Sequence, residues 1–154
     1  MSTEEIYQTI LRFLRLIKQG NDDESGNTLL LETILDELAW AVHFVGDEFD
    51  PTHVEAPKQV PSDLWRLAEH RFPKLGFYNM PSNLYDKIAE ADIVVGSAIE
   101  DIVDITIDLA EVLWRWDNSS EPDALWHFRF GYRTHWGIHL RHLQGYLHER
   151  INDI

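Results

Sequence analysis

Three histidines near the C-terminus have a spacing that could support chemistry. His135, His139 and His142 fall at i, i+4 and i+7, so that they share one face of a helix. Two imidazoles one helical turn apart can hold a divalent metal, but a metal site also needs a further ligand, usually a carboxylate. Neither HExxH nor the Glu-x-x-His motif of di-iron bundles occurs in the chain. The alternative is that each ring packs at the edge of the buried face with one nitrogen in water. We therefore predict no metal ligand and no cofactor.

The same segment interleaves arginine with aromatic residues. A guanidinium binds oxygens in a fork and stacks on aromatic rings, which suits an anion or a planar ligand. Alternatively, the arginines pair with acids of neighbouring helices. The predicted binding surface consists of Arg129, Tyr132, Arg133, His135, Trp136, His139 and His142.

A helical series of acids, Glu100, Asp104, Asp108 and Glu111, could supply paired carboxylates to a metal or to acid and base catalysis. The series is centred about 140° away from the apolar stripe of its own helix. We therefore expect these acids to face solvent, away from the histidine-bearing helix.

Three glycines of the last helix, Gly131, Gly137 and Gly145, each cost about 1 kcal/mol relative to alanine. Either another backbone or a ligand approaches closely, or the helix breaks near Gly137; we favour close packing with a kink. The chain has no cysteine and no serine, threonine or lysine in a recognisable nucleophile setting, so nothing supports covalent catalysis.

Helical spacing of apolar residues and N-terminal capping residues indicate the elements that position these groups. Ser2, Ser97 and Ser120 are predicted caps, each with an acid three residues later, and Thr28 is the predicted cap of the second helix. No strand pattern, phosphate loop or internal repeat is apparent, and residues 73–83 are expected to fold back over the core. The helices are predicted over about residues 2–20, 28–46, 62–71, 83–95, 97–116 and 120–151.

The chain has 154 residues, of which 44% are hydrophobic, and this matches the size and composition of one domain. We predict a single all-α domain over residues 1–154, a compact bundle of about five or six helices. The 97–116 helix and the long C-terminal helix should pack together at its centre.

Charge and composition limit the partners. The net charge of −14 disfavours nucleic acid, whereas residues 121–154 hold four acids and four arginines and are neutral overall. The acidic N-terminus lacks the pattern of a secretory signal, no apolar run could span a membrane, and cysteine is absent; we therefore predict a cytoplasmic protein. Six Trp and seven Phe in so short a chain favour self-association into a homo-oligomer.

The stretches RFPKLGFYN, IEDIVDITIDLAEVLWRW and DALWHFRFGYRTHWGIHLRHLQGYLH resemble the bacterial family DUF5063, a domain of unknown function. The resemblance covers about residues 30–150. It implies a small all-α bacterial protein without an assigned activity, so it carries no residue role to this chain.

The leading functional hypothesis is a non-enzymatic protein that binds a protein partner or a small anionic ligand through the C-terminal helix. The alternative is a metal-dependent enzyme in which His135 and His139 are ligands and a carboxylate from elsewhere completes the set. The histidines also predict a pH dependence of stability. Stability falls between about pH 6 and 8 if they lie near carboxylates, and falls on acidification if they are buried and neutral.

Overall fold

The computed structural model describes residues 1–52, 54–58, 60–150 and 153, and its regular structure is predominantly helical. The elements in chain order are α1 (Thr3–Lys18), α2 (Glu24–Ala41), α3 (Pro61–Arg71), β1 (Phe77–Pro81), β2 (Ile93–Ser97), α4 (Ala98–Asn118), α5 (Glu121–Gly131) and α6 (Gly137–Arg150). A 3-10 turn, Val42–Phe44, extends α2, and a π-helical turn, Tyr132–Trp136, joins α5 to α6. The predicted helical bundle with a long C-terminal helix is confirmed. Within the described residues, no helix is long and apolar enough to cross a membrane.

Helix α4 lies at the centre of the fold and contacts α1, α3, α5 and α6. Because it has neighbours on several sides, its buried side chains are not confined to one stripe. Ile102, Ile105 and Leu109 are inaccessible to solvent, and even the carboxylate-bearing Asp101 is buried. The predicted packing of this helix against the C-terminal helix is confirmed.

Serine caps begin three of the helices as the sequence predicts. The hydroxyl oxygens of Ser2, Ser97 and Ser120 each accept a hydrogen bond from the backbone N–H three residues later, at 3.1–3.2 Å. The prediction for Thr28 is wrong, since α2 begins one turn earlier at Glu24 and the Thr28 hydroxyl donates to the carbonyl of that residue. A threonine inside a helix can bond back to the preceding turn, so its type alone does not mark a helix start.

Strands β1 and β2 form an antiparallel hairpin in which Tyr78 lies opposite Gly96. This corrects two predictions: residues 83–95 are not helical, and strands are present. The β-branched run Ile93–Val94–Val95 favours a strand, and its pairing with β1 outweighs the weak helical spacing. The hairpin folds back on the core through Tyr78, whereas Phe77 is exposed.

The C-terminal helix is not a regular α-helix throughout, because the π turn interrupts it. The N–H of Gly137 donates to the carbonyl of Tyr132, five residues earlier, and a Cβ at position 137 would lie 2.1 Å from that oxygen. The close approach at this glycine therefore comes from its own helix and not from a second one. Nothing lies within 4 Å of where a Cβ would stand at Gly145. The predicted end near Ile151 lies outside the described residues.

Candidate metal centre

Two histidines of the C-terminal helix face three aspartates of α4. We call Asp101, Asp104, Asp108, His135 and His139 the histidine–aspartate cluster. The aspartates lie at i, i+3 and i+7 along α4, and the histidines lie at i, i+4 across the junction of the π turn with α6, so that two matching helix faces meet.

Both rings use one nitrogen for a supporting carboxylate. Nδ1 of His135 lies 2.7 Å from Oδ2 of Asp108, and Nδ1 of His139 lies 2.7 Å from Oδ1 of Asp101. An ionised carboxylate only accepts hydrogen bonds, so each Nδ1 carries the proton. In the neutral ring, each Nε2 then has its lone pair available to a metal.

Both Nε2 atoms face the third carboxylate. That of His139 lies 3.3 Å from Oδ2 of Asp104, and that of His135 lies 4.0 Å from Oδ1 of the same residue. One ligand atom from each of these three residues lies within 4.8 Å of the others. Metal–ligand distances of about 2.0–2.2 Å place two ligands of one ion about 3–4 Å apart, so this set fits a divalent ion after small side-chain movements.

The cluster has an excess of negative charge. Within the part of the chain that the structure describes, the ion pairs of these three aspartates are all with histidines. Burial raises the pKa of Asp108, and the hydrogen bond that His139 donates to Asp101 raises the pKa of His139 against the opposing effect of its burial. The raised pKa of His139 indicates that the neighbouring aspartates favour a positive charge on its ring.

The placement of Asp104 and Asp108 overturns the prediction that they face solvent, away from the histidine-bearing helix. Their side chains are 26% and 23% exposed and contact that helix. That prediction placed the acids by their angle from one apolar stripe. It failed because α4 has neighbours on several sides, so the face opposite the stripe is also covered. Of the remaining predicted acids, Glu100 is exposed and Glu111 pairs with an arginine.

Sequence reasoning missed two residues of this centre. Asp101 is buried beneath His139, and Tyr78 from β1 donates its hydroxyl proton to Oδ2 of Asp101. The i, i+3, i+7 spacing of acids along α4 was a usable signal for Asp101. No local signal marks Tyr78, since it reaches the cluster only through the hairpin.

The other predicted binding residues do not join the histidine–aspartate cluster. Trp136 is fully buried, with its indole N–H donating to the carbonyl of Phe128. Arg129 and Arg133 both approach Asp47, at 3.2 and 3.8 Å. Separately, the hydroxyl of Tyr132 accepts from Arg141, and the ring of His142 lies edge-on to Tyr78.

A second polar cluster lies further along the α4 interface, where α4 meets α5. We call Glu111, Arg115, Asp123 and His127 the arginine cluster. The buried guanidinium of Arg115 donates to Asp123 at 3.0 Å, to Glu111 at 3.1 Å and to the carbonyl of Val54 at 2.9 Å. Burial, assisted by Arg115, lowers the pKa of His127.

The sequence profile of the family described as "Domain of unknown function (DUF5063)" matches residues 51–152. The chain belongs to this family. The matched region contains every residue of both clusters. No match was found among curated proteins.

A solved structure supports the fold. The crystal structure of protein BF1032 from Bacteroides fragilis superimposes with a TM-score of 0.71, and the alignment covers 95% of this chain and 92% of that one. Sequence identity is 14%, so the likeness concerns the fold alone.

Proposed function

We propose that this protein binds a divalent transition-metal ion through Asp104, His135 and His139. The observation that carries the proposal is the convergence of two Nε2 atoms on one carboxylate, while carboxylates hold both Nδ1 atoms. Metal-binding histidines almost always donate their second ring N–H to a carboxylate, a carbonyl or water, which fixes the ring and its tautomer.

Three protein ligands would leave coordination positions for water or a substrate, as in catalytic rather than structural metal sites. This supports the metal-dependent enzyme, the alternative that the spacing of His135 and His139 allows. The exposed ring of His135 places one side of the centre at the surface, where a small molecule can reach it.

The donor set favours particular metals. Imidazole suits zinc, iron, copper and nickel, and a single carboxylate is compatible with each of them, whereas calcium and magnesium prefer all-oxygen sites. Zinc, iron or another first-row transition metal is therefore the expected ion.

Binding of an anion by the arginine-rich surface stays a prediction with less support. Asp47 already offsets part of the charge of Arg129 and Arg133, and Arg129 also donates to the carbonyl of Val45. The cavity beside these arginines measures about 80 Å³, which is small for an organic ligand.

Metal titration of untagged, chelator-treated protein tests the proposed function. We expect one Zn²⁺ or Co²⁺ ion per chain, with cobalt giving the visible absorption of a protein-bound ion. His135→Gln and Asp104→Asn should each weaken binding by more than the roughly 10–100-fold that is typical of changes to outer-shell residues.

His43→Gln is the matched control, because His43 is exposed and lies in the 3-10 turn after α2, outside the cluster. Its affinity should equal that of the wild-type protein. Absence of binding by the wild-type protein, or equal loss in all three variants, would refute the proposal.

A further inference from the structure

Tyr78 connects the β1–β2 hairpin to the candidate metal centre through one carboxylate. Its hydroxyl donates to Oδ2 of Asp101, and the other oxygen of that carboxylate lies 2.7 Å from Nδ1 of His139. Both oxygens of a buried group are therefore engaged, one by the hairpin and one by a proposed metal ligand. The orientation of this carboxylate depends on both partners.

The hairpin holds the Tyr78 ring in place. Gly96 lies opposite it in the register, and a Cβ at position 96 would lie 2.4 Å from two carbons of the ring. The ring of Tyr146 packs against it from α6, with a centroid separation of 5.3 Å. Only a glycine on the neighbouring strand leaves the space that the ring occupies.

The direction of the hydrogen bonds follows from the proton positions. Burial, together with the bond to Asp101, raises the pKa of Tyr78, so its hydroxyl stays protonated and donates. Asp101 then accepts from both sides, and the bond from Tyr78 holds in place the carboxylate that receives the Nδ1 proton of His139. The lone pair of the neutral ring is thereby directed from Nε2 toward Asp104.

We propose that Tyr78 is a positioning residue for the metal ligand His139, and that the β1–β2 hairpin thereby sets the metal affinity of the centre. This inference rests on the proposed function, because it assigns the affinity of that same site to a residue outside its ligand set. The side-chain hydrogen bond of Tyr78 goes to Asp101, and Tyr78 acts on His139 through that carboxylate.

Tyr78→Phe keeps the ring and removes the donor. We expect it to weaken Zn²⁺ binding about 10–100-fold, the range found when outer-shell partners are removed. Gly96→Ala should weaken binding in the same direction, since the added methyl displaces the ring. Tyr85→Phe is the matched control, because Tyr85 lies in the same hairpin, is 90% exposed, and should leave the affinity unchanged. An unchanged affinity in Tyr78→Phe would overturn the inference.

The ¹⁵N NMR tautomer of His139, recorded on metal-free protein at alkaline pH, separates this inference from the proposed function. We expect the Nδ1–H form in the wild-type protein and a mixture of tautomers in Tyr78→Phe, a change that a merely structural role would not cause. If the wild-type protein binds no metal, the proposed function fails, but this tautomer change would still identify Tyr78 as positioning His139. The same tautomer in both proteins would refute that role.

Discussion

The histidine–aspartate cluster and the arginine cluster lie along the same helix, α4, and both place carboxylates against histidine. They differ in the source of positive charge. In the arginine cluster, the guanidinium of Arg115 supplies a permanent cation to Asp123 and Glu111. In the histidine–aspartate cluster, the described ion pairs offer only imidazoles, which carry charge only when protonated.

The two clusters shift the pKa of a histidine in opposite directions. Burial beside Arg115 lowers the pKa of His127, whereas Asp101 raises the pKa of His139. The comparison shows that a permanent cation offsets carboxylate charge in the arginine cluster, whereas the described partners in the histidine–aspartate cluster offset it only when they are protonated. A site that favours an added cation is the kind of site in which a functional ligand binds.

The largest expected effect on the free energy of unfolding comes from removing the permanent cation of the arginine cluster. Arg115→Met should lower the free energy of unfolding by about 3–5 kcal/mol, because it leaves the buried carboxylate of Asp123 without its partner. Urea denaturation measures this difference. Arg12→Met is the matched control, since the Arg12–Glu37 pair is exposed and should contribute no more than about 1 kcal/mol. Equal losses in the two variants would contradict the comparison.

Neutralising one carboxylate should change the free energy of unfolding differently in the two clusters. Asp123→Asn weakens a buried, charge-assisted contact and should cost about 1–3 kcal/mol of unfolding free energy. Asp104→Asn removes one of three neighbouring negative charges, so metal-free protein at about pH 8 should be equally or slightly more stable. The comparison would fail if Asp104→Asn destabilised the metal-free protein as much as Asp123→Asn.

The smallest expected effects concern the pH dependence of stability in metal-free protein. The lowered pKa of His127 gives stability that is present above its unfolded pKa of about 6.5 and is lost as the pH falls through the folded value. His127→Gln should therefore reduce the loss of stability on acidification.

His139 should show the opposite sign. Its raised pKa gives stability that is complete below about pH 6.5 and is lost as the pH rises through the folded value. His139→Gln should reduce the loss of stability on the alkaline side. Urea midpoints between about pH 5 and pH 8 measure both effects, and parallel profiles in the two variants would show that the histidines do not differ.

Local signals predicted much of the fold. The serine caps and the amphipathic stripes depend on residues within one or two turns of each other, so they can be recognised from the sequence alone. The hairpin was missed because its pairing joins Phe77 to Ser97 across a long connection, and pairing at that separation leaves little trace in local spacing.

The candidate site was only half predictable. The spacing of His135 and His139 indicated a shared face, but the position of their carboxylate partners depends on which helix covers α4. A projection from one apolar stripe assumes one packed side, and α4 has several. The contact of Tyr78 with Asp101 is set by tertiary packing and has no counterpart in sequence spacing.

The π turn also sets the rotational phase between the two halves of the C-terminal helix. In an unbroken α-helix, the leucines buried after the turn, Leu140, Leu143 and Leu147, would point on average about 90° away from Phe128, which is buried before it. One additional residue within the turn absorbs nearly all of that difference. The turn from Tyr132 to Trp136 therefore rotates the following residues about the helix axis. As a result, Phe128 before the turn lies in the core while His139 after it faces α4.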